Sequence, residues 1–324
     1  MGAKRPSGGL ADRGFHLALS APLAFHARFG GLDWTGDLPF VQFDSASASA
    51  STSGVVAVER RPESRMGTPL RTIGRARIAA EGLRFDCGDE VSFDCESGTR
   101  IGWIPGPSWR GLLPTSFYSS VAAITLAMRG MLPLHASAIV LHDRAWLLAG
   151  ASGAGKSTLT AELLMAGACL LADDLTPLTL APSPVAWRGR PALRLHPESC
   201  AGLATDGAPE PTDDGRGKLL VRPASRAADR GWPVGGVLLL ADALGDNIDP
   251  GYRAMAYGTI LFRPRILTAL SQRAEIRANL LALAREVPMA VLPPVRGFDD
   301  EARSARVANA LATIARLAER AASA

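Results

Sequence analysis

Short apolar or alternating segments, separated by Gly, Pro and Asp, dominate the first 110 or so residues, and this pattern is typical of β-strands. The segments for which we expect strands are residues 17–29, 55–60, 77–85 and 91–95. Between them, residues 44–54 are mostly small and hydroxylated, so they bury too little surface to order the backbone, and a mobile loop is expected there. Pro and Gly in residues 103–109 indicate a domain boundary.

After this boundary the pattern changes. Residues 116–128 predict a helix with Tyr118, Val121, Ile124 and Leu126 on its apolar face, and Gly130 ends it. The apolar stretch 132–149 is interrupted by polar residues at 142–144. It therefore predicts two strands joined by a tight turn.

Strands and helices then alternate to the end of the chain. We expect helices over 159–165 and 266–285, a last helix capped by Asp299 or Asp300, and short strands over 169–172, 237–240 and 289–292. This alternation predicts an α/β layer with a mostly parallel sheet. The predicted organisation is a β-rich N-terminal domain, residues 1–112, which would bind a substrate or partner, and a catalytic domain, residues 113–324.

Composition narrows the class of protein. A chain of 324 residues with 47% hydrophobic and 20% charged residues is globular rather than disordered. A net charge of +4 is too small a basic excess for a duplex-DNA binder, so no nucleic-acid partner is expected. The four cysteines form no C-x-x-C pair, no apolar run is long enough to span a bilayer, and the first 15 residues lack the apolar core of a signal peptide. We therefore expect a cytoplasmic protein with free thiols and no membrane partner.

The strongest motif is Gly150-Ala151-Ser152-Gly153-Ala154-Gly155-Lys156-Ser157, which matches G-x-x-x-x-G-K-[ST] at every position. Glycines let successive backbone N–H groups point inward as an anion nest, and the following helix directs its positive end to the same place. Lys156 adds a cation for phosphates, and the Ser157 hydroxyl suits Mg²⁺. The motif predicts binding of a nucleoside triphosphate.

Two carboxylates follow soon after the loop. Asp173 and Asp174 end the predicted strand 169–172, with one helix between them and Lys156. A unit of that length places the end of this strand beside the loop. One carboxylate can then hold the metal and the other can accept the proton of an attacking hydroxyl.

His135 joins this group by register. If the strands before and after the turn at 142–143 are antiparallel, paired positions sum to about 285, so His135 lies opposite Gly150. Its imidazole could hydrogen-bond an aspartate or a phosphate oxygen there. Several cations are further phosphate candidates among which the sequence does not choose: Arg188, Arg190, Arg194, Arg216, Lys218, Arg263 and Arg265.

Three segments, LHASAIV, GASGAGKST and GACLLADDL, occur in an order and spacing that resemble the catalytic domain of HPr kinase/phosphorylase and its relatives. The resemblance covers residues 130–200. It implies a P-loop kinase domain related to that of phosphoenolpyruvate carboxykinase. The family reaction is phosphoryl transfer to a serine hydroxyl of a small protein.

Residue by residue, the resemblance implies Asp173 as the base, supported by His135. It implies that Gly150 to Thr158 bind the phosphates of ATP, and that Ser157 and Asp174 serve Mg²⁺. The bifunctional enzymes carry an E-x-R-G-x-G-type segment, whereas the nearest match here, residues 187–190, has no glutamate in front. The overall pattern is more similar to HPr kinase-like proteins of lasso peptide biosynthesis, some of which phosphorylate a precursor peptide.

Three functions remain open from the sequence. The first is a kinase for a serine of a peptide or small protein, and the second is a small-metabolite kinase. The third is a nucleotide-gated binding module that transfers nothing. The identity of the acceptor, the nucleotide base and any homo-oligomer are left open.

Overall fold

A computed structural model describes residues 25–46, 54–212, 217–242, 248–270, 273–297 and 299–322. These residues form a mixed α/β structure with a nine-stranded, an eight-stranded and a three-stranded sheet. The expectation of an α/β protein with a β-rich first part is confirmed at this level. Among the described helices, none has the length and apolar character that crossing a bilayer requires.

The first sheet is built by alternation of buried and exposed side chains, as in Val56 and Val58 against Val55 and Ala57. Its strands are β1 (Phe25–Phe29), β2 (Leu32–Gly36), β3 (Asp44–Ser45), β4 (Val55–Arg60), β5 (Arg71–Ile73), β6 (Ala76–Ile78), β7 (Leu83–Asp86), β8 (Val91–Glu96) and β9 (Arg100–Pro105). Their order across the sheet is β3-β1-β2-β4-β9-β8-β7-β6-β5.

Several expectations for this region need correction. The predicted strand 77–85 is two strands, because the Ala79 N–H donates to the Gly82 carbonyl at 2.9 Å and closes a turn. Asp44–Ser45 is strand β3 rather than loop, and residues 47–53 lie outside the described residues, as do 17–24 of the first predicted strand. The boundary predicted from Trp103 begins inside β9, because Trp103 and Pro105 still pair with β8 and only Gly106 and Pro107 follow the strand.

The predicted helix 116–128 is present as a π-helical turn, Phe117–Val121, that continues into α1 (Ala122–Met128). Phe117, Val121 and Ile124 are fully buried in the same core as the first sheet. The first core therefore continues beyond residue 112, and the division of the chain at that point stays a prediction.

The remaining strands form the second and third sheets. They are β10 (Leu132–Leu134), β11 (Ser137–Leu141), β12 (Arg144–Gly150), β13 (Cys169–Ala172), β14 (Thr176–Thr179), β15 (Val185–Ala186), β16 (Leu193–Leu195), β17 (Glu210–Pro211), β18 (Leu219–Val221), β19 (Trp232–Leu240) and β20 (Met289–Leu292). The second sheet has the order β10-β14-β15-β19-β12-β11-β13, with β20 also paired to β19, and the third has the order β16-β18-β17.

The second sheet is not mostly parallel, so that expectation is wrong. Among its described strands, only β12 with β19 and β19 with β20 pair in parallel. One of the antiparallel pairs is the predicted hairpin: His142 and Asp143 both have positive φ, +51° and +57°, and this turn makes β12 antiparallel to β11. Strand β13 pairs antiparallel to β11, so one strand separates it from β12.

Helices cover both faces of this sheet. They are α2 (Lys156–Met165), α3 (Pro250–Thr259), α4 (Pro264–Leu267), α5 (Arg273–Glu286) and α6 (Asp300–Ala322). On one face α2 and α6 pack through Leu163 and Ile314, and on the other α3 and α5 pack through Tyr257 and Leu283. The sheet is thus the middle of three layers, and its strand ends open between them.

Two helix predictions can be compared with this arrangement. The last helix begins where expected, because the Asp299 carboxylate accepts the Ala302 N–H at 2.7 Å as an N-cap. The single helix expected over 266–285 is instead α4 and α5, with 271–272 outside the described residues. Ile266 packs into the first core and Leu283 into the second, so the chain turns between them.

Candidate functional site

The glycine-rich loop, residues 150–157, connects the end of β12 to the first turn of α2. Gly153 and Gly155 adopt left-handed φ values of +85° and +87°, and a methyl group added at either would meet no atom within 4 Å. The loop is therefore an open concavity of backbone at a helix N-terminus, which is the geometry that binds phosphate.

Lys156 lies inside this concavity. Its ammonium donates to the carbonyls of Gly150 and Ala151 at 2.9 and 3.0 Å, and the residue is 9% exposed. Burial lowers the pKa of the Lys156 ammonium, and the nearby carboxylates of Asp173 and Asp174 limit the effect. Within the part of the chain that the structure describes, no carboxylate forms an ion pair with this buried cation, which favours an anionic ligand in the loop.

Asp173 contacts the loop, although β11 separates its strand from β12. It is 2% exposed, and its Oδ1 accepts from the Ser157 hydroxyl at 3.1 Å and from the Ser137 hydroxyl at 2.6 Å. Its Oδ2 accepts from the Arg194 backbone N–H at 3.2 Å. Asp173 and Ser157 thus present hard oxygens to the same point, as Mg²⁺ requires.

Asp174 faces a different set of groups. Its Oδ2 lies 2.7 Å from Arg194 Nη2 and 3.3 Å from Arg190 Nη2, and its backbone is left-handed, with φ +68°. Burial raises the pKa of Asp174, but Arg190 and Arg194 outweigh it, so that this pKa lies below its usual range. A strained, ionised carboxylate at a strand end is typical of functional sites.

His135 reaches the same place. Strands β11 and β12 pair Ser137 with Leu148, whose residue numbers sum to 285, so the predicted register is confirmed. His135 lies two residues before Ser137, where β11 begins. Its Nε2 lies 3.8 Å from Asp174 Oδ1. Burial keeps the pKa of His135 below its usual range; Lys156 acts in the same direction and Asp174 opposes it.

These side chains share one cleft of about 1530 Å³. The predicted residues that line it are His135, Gly150, Ser152, Gly153, Ala154, Gly155, Lys156, Ser157, Thr158, Asp173 and Asp174. The volume exceeds that of typical small-molecule sites, ~300–1,000 Å³, so a second ligand has room beside a nucleotide. Among the described residues no group of three or more His, Cys, Asp or Glu could hold a metal. One carboxylate and one hydroxyl fit Mg²⁺, which also takes ligands from phosphates.

The candidate cations separate into two groups. Arg194, Lys218 and Arg263 line the cleft, whereas Arg190 lies behind Asp174 and Arg188 pairs with Asp44 at 3.0 Å. Arg265 is exposed and does not line it, and Arg216 lies outside the described residues.

Sequence reasoning missed two neighbours of the site. Ser137 binds Asp173, and its position two residues after His135 on one strand face was an available signal. Phe262 stacks on the His135 ring at 5.6 Å between centroids, because residues 260–262 run along β10. No local pattern predicts that contact.

Comparison of the chain with models of known protein families gives no match. A search among curated proteins likewise gives none. The resemblance drawn from the three motifs therefore remains a prediction.

Proposed function

We propose that this protein is an ATP- and Mg²⁺-dependent kinase with a P-loop kinase domain of the HPr kinase type. The acceptor is a serine hydroxyl of a peptide or small protein. The observation that carries the proposal is that Lys156, the Ser157–Asp173 pair and the His135–Asp174 pair open on one cleft.

In this proposal the glycine-rich loop binds the triphosphate through its N–H groups and Lys156. Ser157 and Asp173 hold Mg²⁺, which when bound neutralises charge on the transferred phosphoryl group. The Ser137 hydroxyl and the Arg194 N–H fix the Asp173 carboxylate for this task.

The contacts support an exchange of the two aspartate roles expected from the resemblance. Asp173 touches Ser157, as a metal-holding aspartate of a phosphate-loop enzyme does, and is almost fully buried. Asp174 is ionised and lies beside His135, whose imidazole is neutral because of its lowered pKa. We therefore assign to Asp174 the orientation of the acceptor hydroxyl and the uptake of its proton.

The test is transfer from labelled ATP, with Mg²⁺, to serine peptides and to small alcohols, followed by mass analysis of each product. Asp174→Asn should lower turnover by about 10²–10⁴-fold with little change in the KM for ATP. Asp173→Asn should instead raise the Mg²⁺ concentration required. Asp143→Asn, an exposed turn carboxylate, is the control.

The products of this test distinguish the three functions that the sequence leaves open. Phosphorylated alcohols without phosphopeptide would favour the metabolite kinase, and peptide binding that needs ATP without any transfer would favour the binding module. Full transfer by Asp174→Asn would contradict the assigned role of Asp174.

A further inference from the structure

The first sheet reaches the carboxylates of the cleft through one stretch of chain, residues 187–194, which we call the bridge segment. At its start, the Gly30 N–H donates to the Arg188 carbonyl at 2.8 Å. Trp187 packs so closely on Gly31 that a Cβ there would lie 2.5 Å from its ring. The bridge segment is therefore fixed on the first sheet.

The other end of the bridge segment holds both aspartates. Arg194 binds Asp173 through its backbone and Asp174 through its guanidinium. Arg190, 2% exposed, adds the second contact to Asp174. The bridge segment thus sets where both carboxylates lie.

One residue of the first sheet extends this chain of contacts. Gln42, in the turn between β2 and β3, accepts from Arg190 Nη1 through its Oε1 at 2.9 Å. Nearby, Asp44 pairs with Arg188 and Arg226, and the Val41 carbonyl accepts from Arg222. Of these contacts, only that of Gln42 involves a group that itself touches a carboxylate of the cleft.

We propose that Gln42 is a positioning residue of the cleft, which holds Arg190 against Asp174, so that the first sheet completes the site. This inference rests on the proposed function, since it explains how that site is held.

The chemistry of Gln42 suits this task. A neutral amide satisfies one Arg190 nitrogen without competing for its charge, so Asp174 remains the carboxylate partner of Arg190. Arg190 Nε has no hydrogen-bond partner among the described residues. Loss of the Gln42 contact would leave a second buried guanidinium nitrogen unpaired, and the orientation in which the guanidinium meets Asp174 would lose one of its two fixed points.

Three variants test the proposal. Gln42→Ala removes the acceptor, and Gln42→Glu keeps the shape but offers Arg190 a second carboxylate that competes with Asp174. Glu59→Gln is the matched control, because it weakens ion pairs within the first sheet without touching Arg190 or the bridge segment.

The readout is binding of MgADP with and without aluminium fluoride, a mimic of the transferred phosphoryl group. In both Gln42 variants the affinity for MgADP alone should stay within about twofold of the wild-type value. The increase in this affinity that aluminium fluoride causes should fall about tenfold or more. Glu59→Gln should keep this gain in affinity. An unchanged gain in the Gln42 variants, or an equal loss in Glu59→Gln, would overturn the proposal.

Crystal structures of the same variants keep this inference separate from the kinase proposal. If aluminium fluoride does not increase the affinity of the wild-type protein for MgADP, the proposed function fails. The crystal structures then decide the role of Gln42. If Asp174 no longer contacts Arg190 in the structure of Gln42→Ala, the positioning role of Gln42 is supported. Retention of that contact overturns it.

Discussion

Two ion networks of this protein differ in how completely their charged groups are paired. Between α2 and α6, the buried Glu162 pairs with Arg306, a partly buried side chain at the edge of the cleft, and every guanidinium nitrogen of Arg306 has an acceptor. In the network around Asp174 and Lys156, Arg190, which lies behind Asp174, keeps an unpaired Nε, Asp174 has a left-handed backbone, and burial disfavours the charge of Lys156. Among described residues, the first network is satisfied and the second is not.

The difference indicates what each network is for. A fully paired network fixes the packing of two helices, and its loss leaves a buried charge. An incompletely paired and strained network costs stability and is retained where a ligand completes it. We therefore expect substitutions in the first to act on folding and substitutions in the second to act on binding and turnover.

Among the three comparisons that follow, the largest effect should come from Lys156→Met. We expect phosphoryl transfer to fall about 10²–10³-fold, because a cation that faces the developing charge is lost. The melting temperature should stay the same or rise, since burial already disfavours this charge. A transfer assay with labelled ATP and thermal unfolding measure the two quantities, and calorimetry measures ATP binding beside them.

Arg265→Met, at an exposed arginine that does not line the cleft, is the control for loss of one positive charge and should change neither quantity. If Lys156→Met lowers the melting temperature and leaves ATP binding unchanged, the cleft network is structural and the contrast fails.

The second effect concerns the paired network. Arg306→Leu should reduce the free energy of unfolding by about 3 kcal/mol, because Glu162 is then buried without a partner. Urea denaturation measures it. Arg303→Leu removes an exposed pair with Asp300 on the same helix and should cost less than about 0.5 kcal/mol. Equal losses of unfolding free energy in the two variants would show that the Glu162–Arg306 pair stabilises the fold no more than an exposed pair does.

The smallest effect is a pH dependence. Since burial lowers the pKa of His135, the unfolded chain takes up this proton first as the pH falls through ~6.5, and the free energy of unfolding decreases. His135→Gln should flatten this part of the slope between about pH 7.5 and 5.5. His142→Gln, in the exposed turn, is the control. An unchanged slope in His135→Gln would contradict the burial of a neutral imidazole.

Local chemistry made much of the site predictable. The glycine-rich loop needs only its own backbone and the strand and helix beside it, so the motif identified it. The tight turn at 142–143 fixes the register of β11 and β12. Because paired residue numbers then have a constant sum, the sequence alone places His135 at the cleft.

The unpredicted parts depend on distant segments. Gln42 and Arg190 are 148 residues apart, and no pattern in either segment refers to the other. The stacking of Phe262 on His135 and the break between α4 and α5 likewise follow from how two cores pack. The strand order of the second sheet was unpredictable for the same reason.

The most direct test of the central claim is a crystal structure of the protein with Mg²⁺ and a non-hydrolysable ATP analogue. We expect the analogue's phosphates in the glycine-rich loop beside Lys156, the metal at the Ser157 hydroxyl and Asp173, and the terminal phosphate facing Asp174 and His135. An analogue bound elsewhere, or with its terminal phosphate away from these carboxylates, would contradict the account.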